Sequence, residues 1–367
     1  MDVLVIGAGM VGAACAYYCA TVGLGVGVVD RGAVASGTTS AGEGNILVSD
    51  KDPGPELDLA LLSVRLWAEL DGDFELEAKG GVVVARTPEA LAGLTELAAK
   101  QRACGVVTET VDPRELEPCL TPDVAGGVFY PQDTQVQPML AAASLLRAAR
   151  ARGAVVRTGA EVLELRRDKD ITRVRTSAGE LSARWVVNAA GTWGGAVAML
   201  AGAPVPVLPR RGFILVTEPL PPLVRHKVYS ADYVANVASD DAGLETSVVV
   251  EGTRAGTVLI GASRERVGFD RTFSLPVVRK LAAQAVDLFP FLAEVNLLRG
   301  YLGFRPYCPD HLPVIGPDPR VPWLVHACGH EGAGIGLAAA TGHLVAQTLT
   351  GATPDLDLTP FRPDRFA

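Results

Sequence analysis

Residues 3–12 have the sequence Val3-Leu4-Val5-Ile6-Gly7-Ala8-Gly9-Met10-Val11-Gly12, in which an apolar run leads directly into three spaced glycines. Small residues dominate positions 13–20, and a second apolar run at 26–29 ends on Asp30. Short β-branched runs favour buried strands, and the small-residue segment between them favours a helix. The stretch therefore predicts a strand, a tight turn, a helix, a second strand and an acidic residue at its end.

The three glycines have different expected roles in such a turn. Gly7 lets the chain leave the strand sharply, Gly9 lets a pyrophosphate approach the backbone, and Gly12 lets the helix pack closely on the sheet. The helix N-terminus offers free N–H groups and a positive dipole end to phosphates. Asp30 lies where a carboxylate can accept hydrogen bonds from ribose hydroxyls. These features predict a dinucleotide site, for NAD or FAD, with a ligand-free βαβ turn as the structural alternative.

Length and composition limit the class of protein. The chain has 367 residues, which favours two domains. Hydrophobic residues make up 49% and charged residues 20%, a globular balance, and the formal net charge of -8 gives no electrostatic support for nucleic-acid binding. No apolar run approaches the roughly 18 residues of a membrane span. The first strand begins without the basic flank and cleavage site of a signal peptide, so we expect a cytoplasmic protein.

The cysteines give no indication of a metal site. They are Cys15, Cys19, Cys104, Cys119, Cys308 and Cys328, and no two of them form a C-x-x-C pair. This spacing argues against zinc and iron–sulfur ligation. We therefore expect free thiols in a reducing compartment and no bound metal.

Three further segments rich in small residues indicate ligand contact. Residues 36–45 are small and polar, and their place directly after Asp30 favours a second phosphate cradle over a flexible loop. Residues 185–194 predict a buried strand that runs into a glycine turn. Residues 329–337 open the last predicted helix, so they form an expected anion site like the first turn. Two such loops at opposite ends of the sequence imply a cofactor longer than one phosphate pair.

The middle of the chain predicts a second domain. Alternating strands and helices return at residues 138–165, which suggests that an inserted segment precedes them inside the nucleotide domain. Residues 211–298 contain mostly β-rich runs and one helix at 275–288. This block is the expected wall over a substrate.

Six segments spread over the chain carry a family resemblance: 5–12, 36–45, 187–193, 303–306, 313–316 and 329–342. On them the chain resembles the FAD-dependent amino-acid oxidoreductases of the D-amino-acid oxidase and glycine oxidase type. Residues 42–45 and 329–334 look most like catalytic subunits of hydroxyproline or proline dehydrogenases, opine oxidases and hydrogen cyanide synthase. The resemblance implies an α/β fold with two domains. A Rossmann-like FAD-binding domain would comprise 1–78, 135–208 and 300–367, and a substrate domain, 79–134 and 209–299, would be built on a large mixed or antiparallel sheet.

The resemblance also implies which residues contact FAD. The first glycine turn and Asp30 would hold the ADP half, residues 36–45 the diphosphate and flavin, Val162 the adenine, and residues 332–337 the pyrimidine edge of the flavin. The full expected set is Gly7, Gly9, Met10, Val11, Gly12, Asp30, Arg31, Ser36, Thr38, Thr39, Gly44, Asn45, Val162, Ala190, Gly191, Trp193, Gly332, Ala333, Gly334, Ile335, Gly336 and Leu337. Some relatives attach flavin through a cysteine. Gly303 occupies that position here, so we expect non-covalent FAD with Cys308 lining the pocket.

Three residues are candidates for the reaction. Arg305 is carried over from the resemblance as the carboxylate anchor, since a guanidinium can meet a planar carboxylate with two charge-assisted hydrogen bonds. His330 is a candidate base, although histidines in such loops are as often structural. Tyr233, like Tyr229, is either a pocket hydroxyl or a core or surface residue.

The predicted activity is oxidation of an amino-acid Cα–N bond to the imine, by hydride transfer to flavin N5. The alternatives are an electron-relaying or non-catalytic flavoprotein subunit of a larger dehydrogenase, and an NAD(P)-linked dehydrogenase. Expected partners are a small amino-acid substrate and an electron acceptor or partner subunits. Proline, hydroxyproline, sarcosine, glycine, opines and D-amino acids all remain open as substrates.

Overall fold

The structure is a computed structural model that describes residues 1–237 and 241–366. The helices are α1 Met10–Thr21, α2 Pro55–Glu69, α3 Pro88–Ala103, α4 Pro113–Leu116, α5 Pro138–Ala151, α6 Gly194–Leu200, α7 Ala231–Val237, α8 Leu275–Leu288 and α9 Ala338–Thr350. The strands are β1 Val3–Ile6, β2 Val26–Val29, β3 Asn45–Ile46, β4 Gly81–Ala85, β5 Glu109–Val111, β6 Gly126–Tyr130, β7 Thr134–Gln135, β8 Val155–Arg157, β9 Val162–Asp168, β10 Ile171–Thr176, β11 Gly179–Ala183, β12 Trp185–Asn188, β13 Leu208–Thr217, β14 Lys227–Ser230, β15 Glu245–Gly252, β16 Val258–Arg264, β17 Leu297–Tyr307, β18 Val314–Asp318 and β19 Val321–Cys328.

The first sheet is built around β1. Its strand order is β18-β19-β12-β1-β2-β8, and all neighbouring pairs are parallel except β18 and β19. Strands β1 and β2 are buried along their whole length, as expected for a parallel sheet covered on both faces. Helix α1 packs against α5 and α9. Small residues permit this approach, since a Cβ at Gly342 of α9 would lie only 2.6 Å from the backbone carbon of Ala14.

The second sheet is larger and mostly antiparallel. Its strand order is β17-β13-β16-β15-β14-β4-β6-β5, with β14 and β4 as the parallel pair. Helix α8 covers part of one face and buries Val277, Leu281, Ala285 and Leu288 there. Strands β9–β11 form a three-stranded antiparallel sheet, and β3 pairs with β7.

This architecture confirms the predicted α/β class, with a Rossmann-like sheet and a large mixed sheet. Helix α7 was not anticipated. Residues 300–307 were assigned to the cofactor domain, but they belong to β17, which pairs with β13 in the large sheet over the register 297–307. The division into two domains at the stated boundaries stays a prediction.

Residues 1–237 and 241–366 contain neither a membrane-spanning helix nor a cluster of metal-binding side chains. No helix in these ranges is long and apolar enough to cross a membrane. No group of three or more His, Cys, Asp or Glu side chains in them could hold a metal ion.

Candidate active site

The ends of three strands meet at one edge of the first sheet. Strands β1, β12 and β19 are parallel neighbours, so their carboxyl ends lie side by side. The chain leaves them at Gly7, at Ala189 and at Gly329. A crevice at the carboxyl ends of parallel strands is the usual ligand site in such sheets. A cavity of about 840 Å³ opens here, and β13, β16 and β17 of the large sheet supply part of its wall.

Most of the expected cofactor residues line this cavity. They are Gly7, Gly9, Met10, Val11, Asp30, Arg31, Ser36, Thr38, Thr39, Asn45, Val162, Ala190, Gly191, Trp193, Gly332, Ala333, Gly334 and Ile335. Their segments are far apart in the sequence, so the fold brings the separated glycine-rich loops together. Their individual contacts with a cofactor stay predictions.

Four of the expected cofactor residues lie outside the cavity lining. A Cβ at Gly12 would lie 2.0 Å from the Gly7 carbonyl oxygen, and one at Gly44 would lie 1.7 Å from the carbonyl oxygen of Val136. The carbonyl of Gly336 accepts a hydrogen bond from the Trp67 indole at 3.0 Å, and Leu337 is fully buried in the core. For these positions the structure favours close packing over direct contact with a ligand.

The first turn of α1 is open to the cavity. No side chain caps this helix, although the Thr39 hydroxyl accepts a hydrogen bond from the Met10 N–H at 3.0 Å. A Cβ at Gly9 would have Thr39 Oγ1, at 3.1 Å, as its one neighbour within 4 Å. The glycine at position 9 therefore leaves space on the cavity side, which is the shape that a pyrophosphate at a helix N-terminus needs.

Asp30 is held in place by the backbone around it. Its Oδ2 accepts a hydrogen bond from Ala8 N–H and its Oδ1 accepts one from Gly32 N–H, both at 2.7 Å. Each carboxylate oxygen keeps a second lone pair that can accept a ribose hydroxyl. Arg31 stacks over the Trp193 ring at 4.1 Å, which orders the adjacent wall.

The predicted cradle at residues 36–45 is attached to the large sheet. It contains a short 3-10 helix, Thr38–Ala41. The hydroxyls of Thr38 and Thr192 each donate to the carbonyl of Phe304 on β17, both at 2.7 Å. Gly303 permits this approach, since a Cβ there would lie 2.5 Å from the Ala41 side chain. The loop and β17 therefore position each other across the cavity.

Arg305 projects from β17 into the cavity. Its Nη1 donates to the Ser263 carbonyl at 2.8 Å. Within residues 1–237 and 241–366 it forms no ion pair, so most of its donors are available to a ligand. Burial lowers the pKa of the Arg305 guanidinium, and the nearby charge of Arg264 adds to this effect, but a guanidinium stays protonated. The position agrees with the predicted role as a carboxylate anchor.

Tyr233, on α7, also lines the cavity. Its side chain is 8% exposed, and its hydroxyl has no hydrogen-bond partner in the part of the chain that the structure describes. Burial raises the pKa of this phenol, so it is a neutral donor at ordinary pH. Tyr229 instead contacts Ser49 and Asp133 in the core, so only Tyr233 of the two fits a pocket hydroxyl.

His330 contacts the cavity but is poorly suited to act as a base. The Thr341 hydroxyl donates to Leu337 O at 2.9 Å, so the His330 Nε2–H must be the donor in its 2.9 Å contact with Thr341 Oγ1. Burial lowers the pKa of His330 to about 3, and a group of that basicity holds a proton weakly at neutral pH. The structure favours a structural role for this residue.

Cys308 does not line the cavity, contrary to our expectation. It is fully buried in an apolar cluster with Val207, Val314 and Cys328, and burial raises the pKa of its thiol. Among the described residues that line the cavity there is no cysteine. This arrangement supports non-covalent FAD, which stays a prediction.

A buried polar cluster next to the cavity was missed. The Lys227 ammonium contacts both the Glu251 carboxylate and the Asn45 amide oxygen, and the Asn45 amide donates to Glu43 Oε2 at 3.0 Å. Burial raises the pKa of Glu43, although the charge of Lys227 opposes the shift. Residues 42–45 formed part of a motif in the sequence analysis. Lys227 and Glu251 lie about 200 residues further along the chain, so no local sequence pattern could indicate that they pair with this motif.

Comparisons with known proteins agree with this geometry. The family described as "FAD dependent oxidoreductase" matches residues 2–348. This chain belongs to that family. Hydrogen cyanide synthase subunit HcnC of Pseudomonas aeruginosa is 30% identical to it over 416 aligned residues, which cover 100% of this chain and 96% of the relative. The glycine oxidase of Geobacillus kaustophilus is 29% identical, covering 98% of this chain and 96% of the relative. Its crystal structure superposes with a TM-score of 0.90 over 99% of this chain and 98% of that one.

The cavity fits the cofactor of this family. The open glycine turn at Gly9 suits a diphosphate, the fixed Asp30 carboxylate suits a ribose, and the loop after β19 closes the same cavity from the other end of the chain. FAD is therefore the cofactor, and the chain is an oxidoreductase.

Proposed function

We propose that this protein oxidises the Cα–N bond of an amino acid to the imine. The observation that supports this most directly is Arg305, a guanidinium without an ion-pair partner among the described residues, inside the cofactor cavity. A buried charge is costly unless a partner compensates it, and the planar carboxylate of an amino acid matches the guanidinium fork. Relatives named glycine oxidase are consistent with such a substrate.

The protein's own groups would mainly bind and orient the substrate. Arg305 would hold the carboxylate, and Tyr233 would donate a hydrogen bond from the adjacent wall. When bound, FAD would accept the Cα hydrogen with its two electrons as a hydride, which leaves an iminium that releases a proton to solvent as the imine. Fixing the carboxylate restricts the position of the Cα–H bond, and such positioning can contribute several kcal/mol.

Glycine, proline, hydroxyproline, sarcosine, opines and D-amino acids are the candidates to screen. An anaerobic mixture of each amino acid with the purified holoprotein should bleach the flavin absorbance for a true substrate. The rate should rise with pH through ionisation of the substrate amine, because only the neutral amine can release a hydride from the adjacent carbon. A flat pH profile of flavin reduction would contradict the proposal.

Arg305→Ala is the matched test of the anchor. It should retain the flavin absorbance and lose substrate affinity by about tenfold to a hundredfold, the effect of removing a charged hydrogen bond. Arg299→Ala on the exposed start of β17 is the control and should bind substrate like the wild type. Unchanged affinity in Arg305→Ala would exclude the assigned role.

The electron acceptor is a separate question. The name of HcnC describes a subunit, which is consistent with a partner chain that accepts electrons from this one. Repeating the reduction in air measures hydrogen peroxide. Rapid peroxide formation would favour oxygen as the acceptor, whereas slow reoxidation would favour a quinone or a partner protein. If no amino acid bleaches the flavin, the alternative function, an electron-relaying subunit of a larger dehydrogenase, is favoured.

A further inference from the structure

We propose that Arg264 binds a second acidic group of the substrate, so that the preferred substrate is an amino acid with two carboxylates. This inference rests on the proposed function, in which Arg305 binds the α-carboxylate. It concerns a residue that the sequence did not single out.

Arg264 is a buried, positively charged residue in the wall of the cavity. It ends β16, its side chain is 5% exposed, and it lines the cavity. Within residues 1–237 and 241–366 it forms no hydrogen bond through its side chain and no ion pair. Its one recorded contact is with the Tyr233 ring, at 5.3 Å from the guanidinium carbon. A ring face stabilises a cation but does not neutralise it.

The neighbouring buried arginines show how this fold normally compensates such a charge. Arg210 contacts Glu331 at 2.6 Å and Glu245 at 2.9 Å. Arg211 contacts Glu265 at 2.8 Å and Asp270 at 2.7 Å. Both lie on β13, outside the cavity lining. Arg264 and Arg305, which do line the cavity from the large sheet, form no ion pair in the part of the chain that the structure describes.

Arg264 and Arg305 face the same space. The Nη1 of Arg305 donates to the Ser263 carbonyl, and the peptide bond of that carbonyl leads directly to Arg264. Both guanidinium groups act electrostatically on the Tyr233 phenol, and the Arg264 charge helps to lower the pKa of Arg305. The charge of Arg264 therefore repels that of Arg305, although the carboxylates of Glu43 and Glu331, which line the same cavity, act on Arg305 in the opposite direction.

One carboxylate is a poor match for two guanidinium groups. Each guanidinium has five N–H donors, and the Ser263 carbonyl is the one recorded acceptor for the pair, whereas a carboxylate offers about four acceptor positions. It also supplies one negative charge, whereas both Arg264 and Arg305 lack an ion pair among residues 1–237 and 241–366. A ligand with two carboxylates satisfies both the charge and the donors. The second carboxylate can lie on the amino-acid side chain or on a substituent of the nitrogen.

Binding of unreactive acids tests this without any turnover. Glutarate and glutaramate have the same length and differ in one carboxylate. Both can be titrated into the holoprotein, with the flavin absorbance change and calorimetry as readouts. The wild type should bind glutarate more tightly by about tenfold to a hundredfold, the effect of one charge-assisted interaction. Equal affinities in the wild type would overturn the proposal.

Variants then assign the preference to one residue. Arg264→Gln should lose the preference for glutarate and bind glutaramate within about threefold of the wild type, whereas Arg305→Gln should weaken both ligands. Arg264→Lys should keep part of the preference, because it keeps the charge, and the exposed Arg299→Gln should keep all of it. If Arg264→Gln weakens both acids equally, a single carboxylate spans both arginines and the proposal is wrong. If Arg264→Gln does not fold, the wild-type comparison and Arg264→Lys decide.

A second arm locates the second carboxylate. Flavin reduction is compared for glutamate against glutamine, in both enantiomers, and for iminodiacetate against N-ethylglycine. If glutamate reduces the flavin faster than glutamine, the second carboxylate of the substrate lies on the side chain. If iminodiacetate reduces it faster than N-ethylglycine, the second carboxylate lies on the substituent of the nitrogen. If only monocarboxylic amino acids reduce the flavin and the acids bind alike, the oxidase function stands and this proposal falls. If no amino acid reduces the flavin but the Arg264-dependent preference persists, the oxidase function falls and the anion site stands.

Discussion

Gly212 on β13 leaves the space that the guanidinium of Arg305 occupies. Arg210 pairs directly with Arg305 across the antiparallel strands, so Gly212, two residues further, lies on the same face. A Cβ at Gly212 would lie 2.1 Å from Arg305 Nη1 and 2.5 Å from the Ser263 carbonyl oxygen, the acceptor of the Arg305 hydrogen bond. The direction of the anchor therefore depends on a missing side chain on the neighbouring strand.

Gly212→Ala should displace Arg305 while leaving it in the protein. We expect weaker binding of carboxylate ligands, by about tenfold or more, because a charged hydrogen bond is sensitive to its geometry. The flavin should stay bound. Overpacking against the Ser263 backbone should also cost about 1–3 kcal/mol of unfolding free energy. Ligand titration of the holoprotein and urea unfolding measure the two effects.

Gly93→Ala is the control for this change. Gly93 lies on α3, and a Cβ there would meet nothing within 4 Å. This variant should bind ligands like the wild type and be equally or more stable. Wild-type ligand affinity in Gly212→Ala would show that Arg305 can reorient freely.

His330 should make stability depend on pH. Its pKa is about 3 in the folded protein and 6.5 as the reference value for the unfolded chain. Below about pH 6.5 the unfolded chain takes up a proton that the folded protein does not, so stability falls as the pH decreases towards 3. The linkage relation gives a loss of about 2 kcal/mol between pH 8 and pH 5. Urea unfolding at these two values measures it.

His330→Gln removes the titrating group and keeps an N–H donor for Thr341. Its stability should therefore fall less than that of the wild type over this pH range. The variant His343→Gln, at a partly exposed position on α9, should retain the His330-dependent loss. A pH dependence in His330→Gln as steep as in the wild type would assign the loss to other groups.

Removing only one partner of the Lys227–Glu251 ion pair should lower the free energy of unfolding substantially. Both side chains are almost fully buried. Lys227→Met leaves the Glu251 carboxylate without its cation, and removing one partner of a buried pair costs about 3–5 kcal/mol. The double variant Lys227→Met/Glu251→Leu removes both charges and should be less destabilised than the single one. Urea unfolding of the wild type, Lys227→Met, Glu251→Leu and the double variant gives the coupling energy.

An exposed ion pair serves as the control for the buried Lys227–Glu251 pair. Lys100 and Glu96 lie one turn apart on the surface of α3, at 2.8 Å. Lys100→Met should leave the unfolding midpoint close to that of the wild type, because solvent replaces an exposed ion pair.

For the buried pair, a double variant at 227 and 251 as unstable as Lys227→Met would contradict the prediction. It would mean that Asn45 and Glu43, rather than Glu251, are the main partners of Lys227.

Asp30→Ala should weaken FAD binding. The carboxylate is already fixed by Ala8 and Gly32 and is positioned for a ribose hydroxyl. We expect affinity for FAD to fall by about tenfold to a hundredfold, as for other hydrogen bonds to a charged group. Release of FAD can be followed by its fluorescence. Asp123→Ala, at an exposed position, should retain FAD, and equal retention in Asp30→Ala would contradict the ribose assignment.

The first sheet and the nucleotide turn could be predicted from the sequence because their determinants are local. The runs 3–6 and 26–29, the glycines between them and Asp30 lie within thirty residues, and each strand has a nearly continuous apolar pattern. The last glycine loop was found by the same argument. The helix at 275–288 and the helix that follows the last glycine loop were predicted as well, since apolar spacing and Pro or Gly ends are local signals.

Strand partners in the large sheet could not be predicted. Residues 297–307 pair with 208–217, and nothing in either segment specifies the other, since register depends on packing of both faces. This pairing places Gly212 beside Arg305 and puts residues 300–307, which we had assigned to the FAD-binding domain, in the large sheet. The expected contact of Cys308 with the pocket was wrong for a related reason, because its side chain points into an apolar cluster behind the strand.

The sequence by itself determined the FAD fold, the nucleotide turn and the candidate anchor Arg305, because short patterns and a family resemblance carry that information. Only the tertiary structure decided which charges have partners. Arg210 and Arg211 form ion pairs, Arg264 and Arg305 form none among residues 1–237 and 241–366, and burial keeps His330 neutral. The physical reason is that the state of a buried charge depends on groups brought close by folding, and those groups lie far away along the chain.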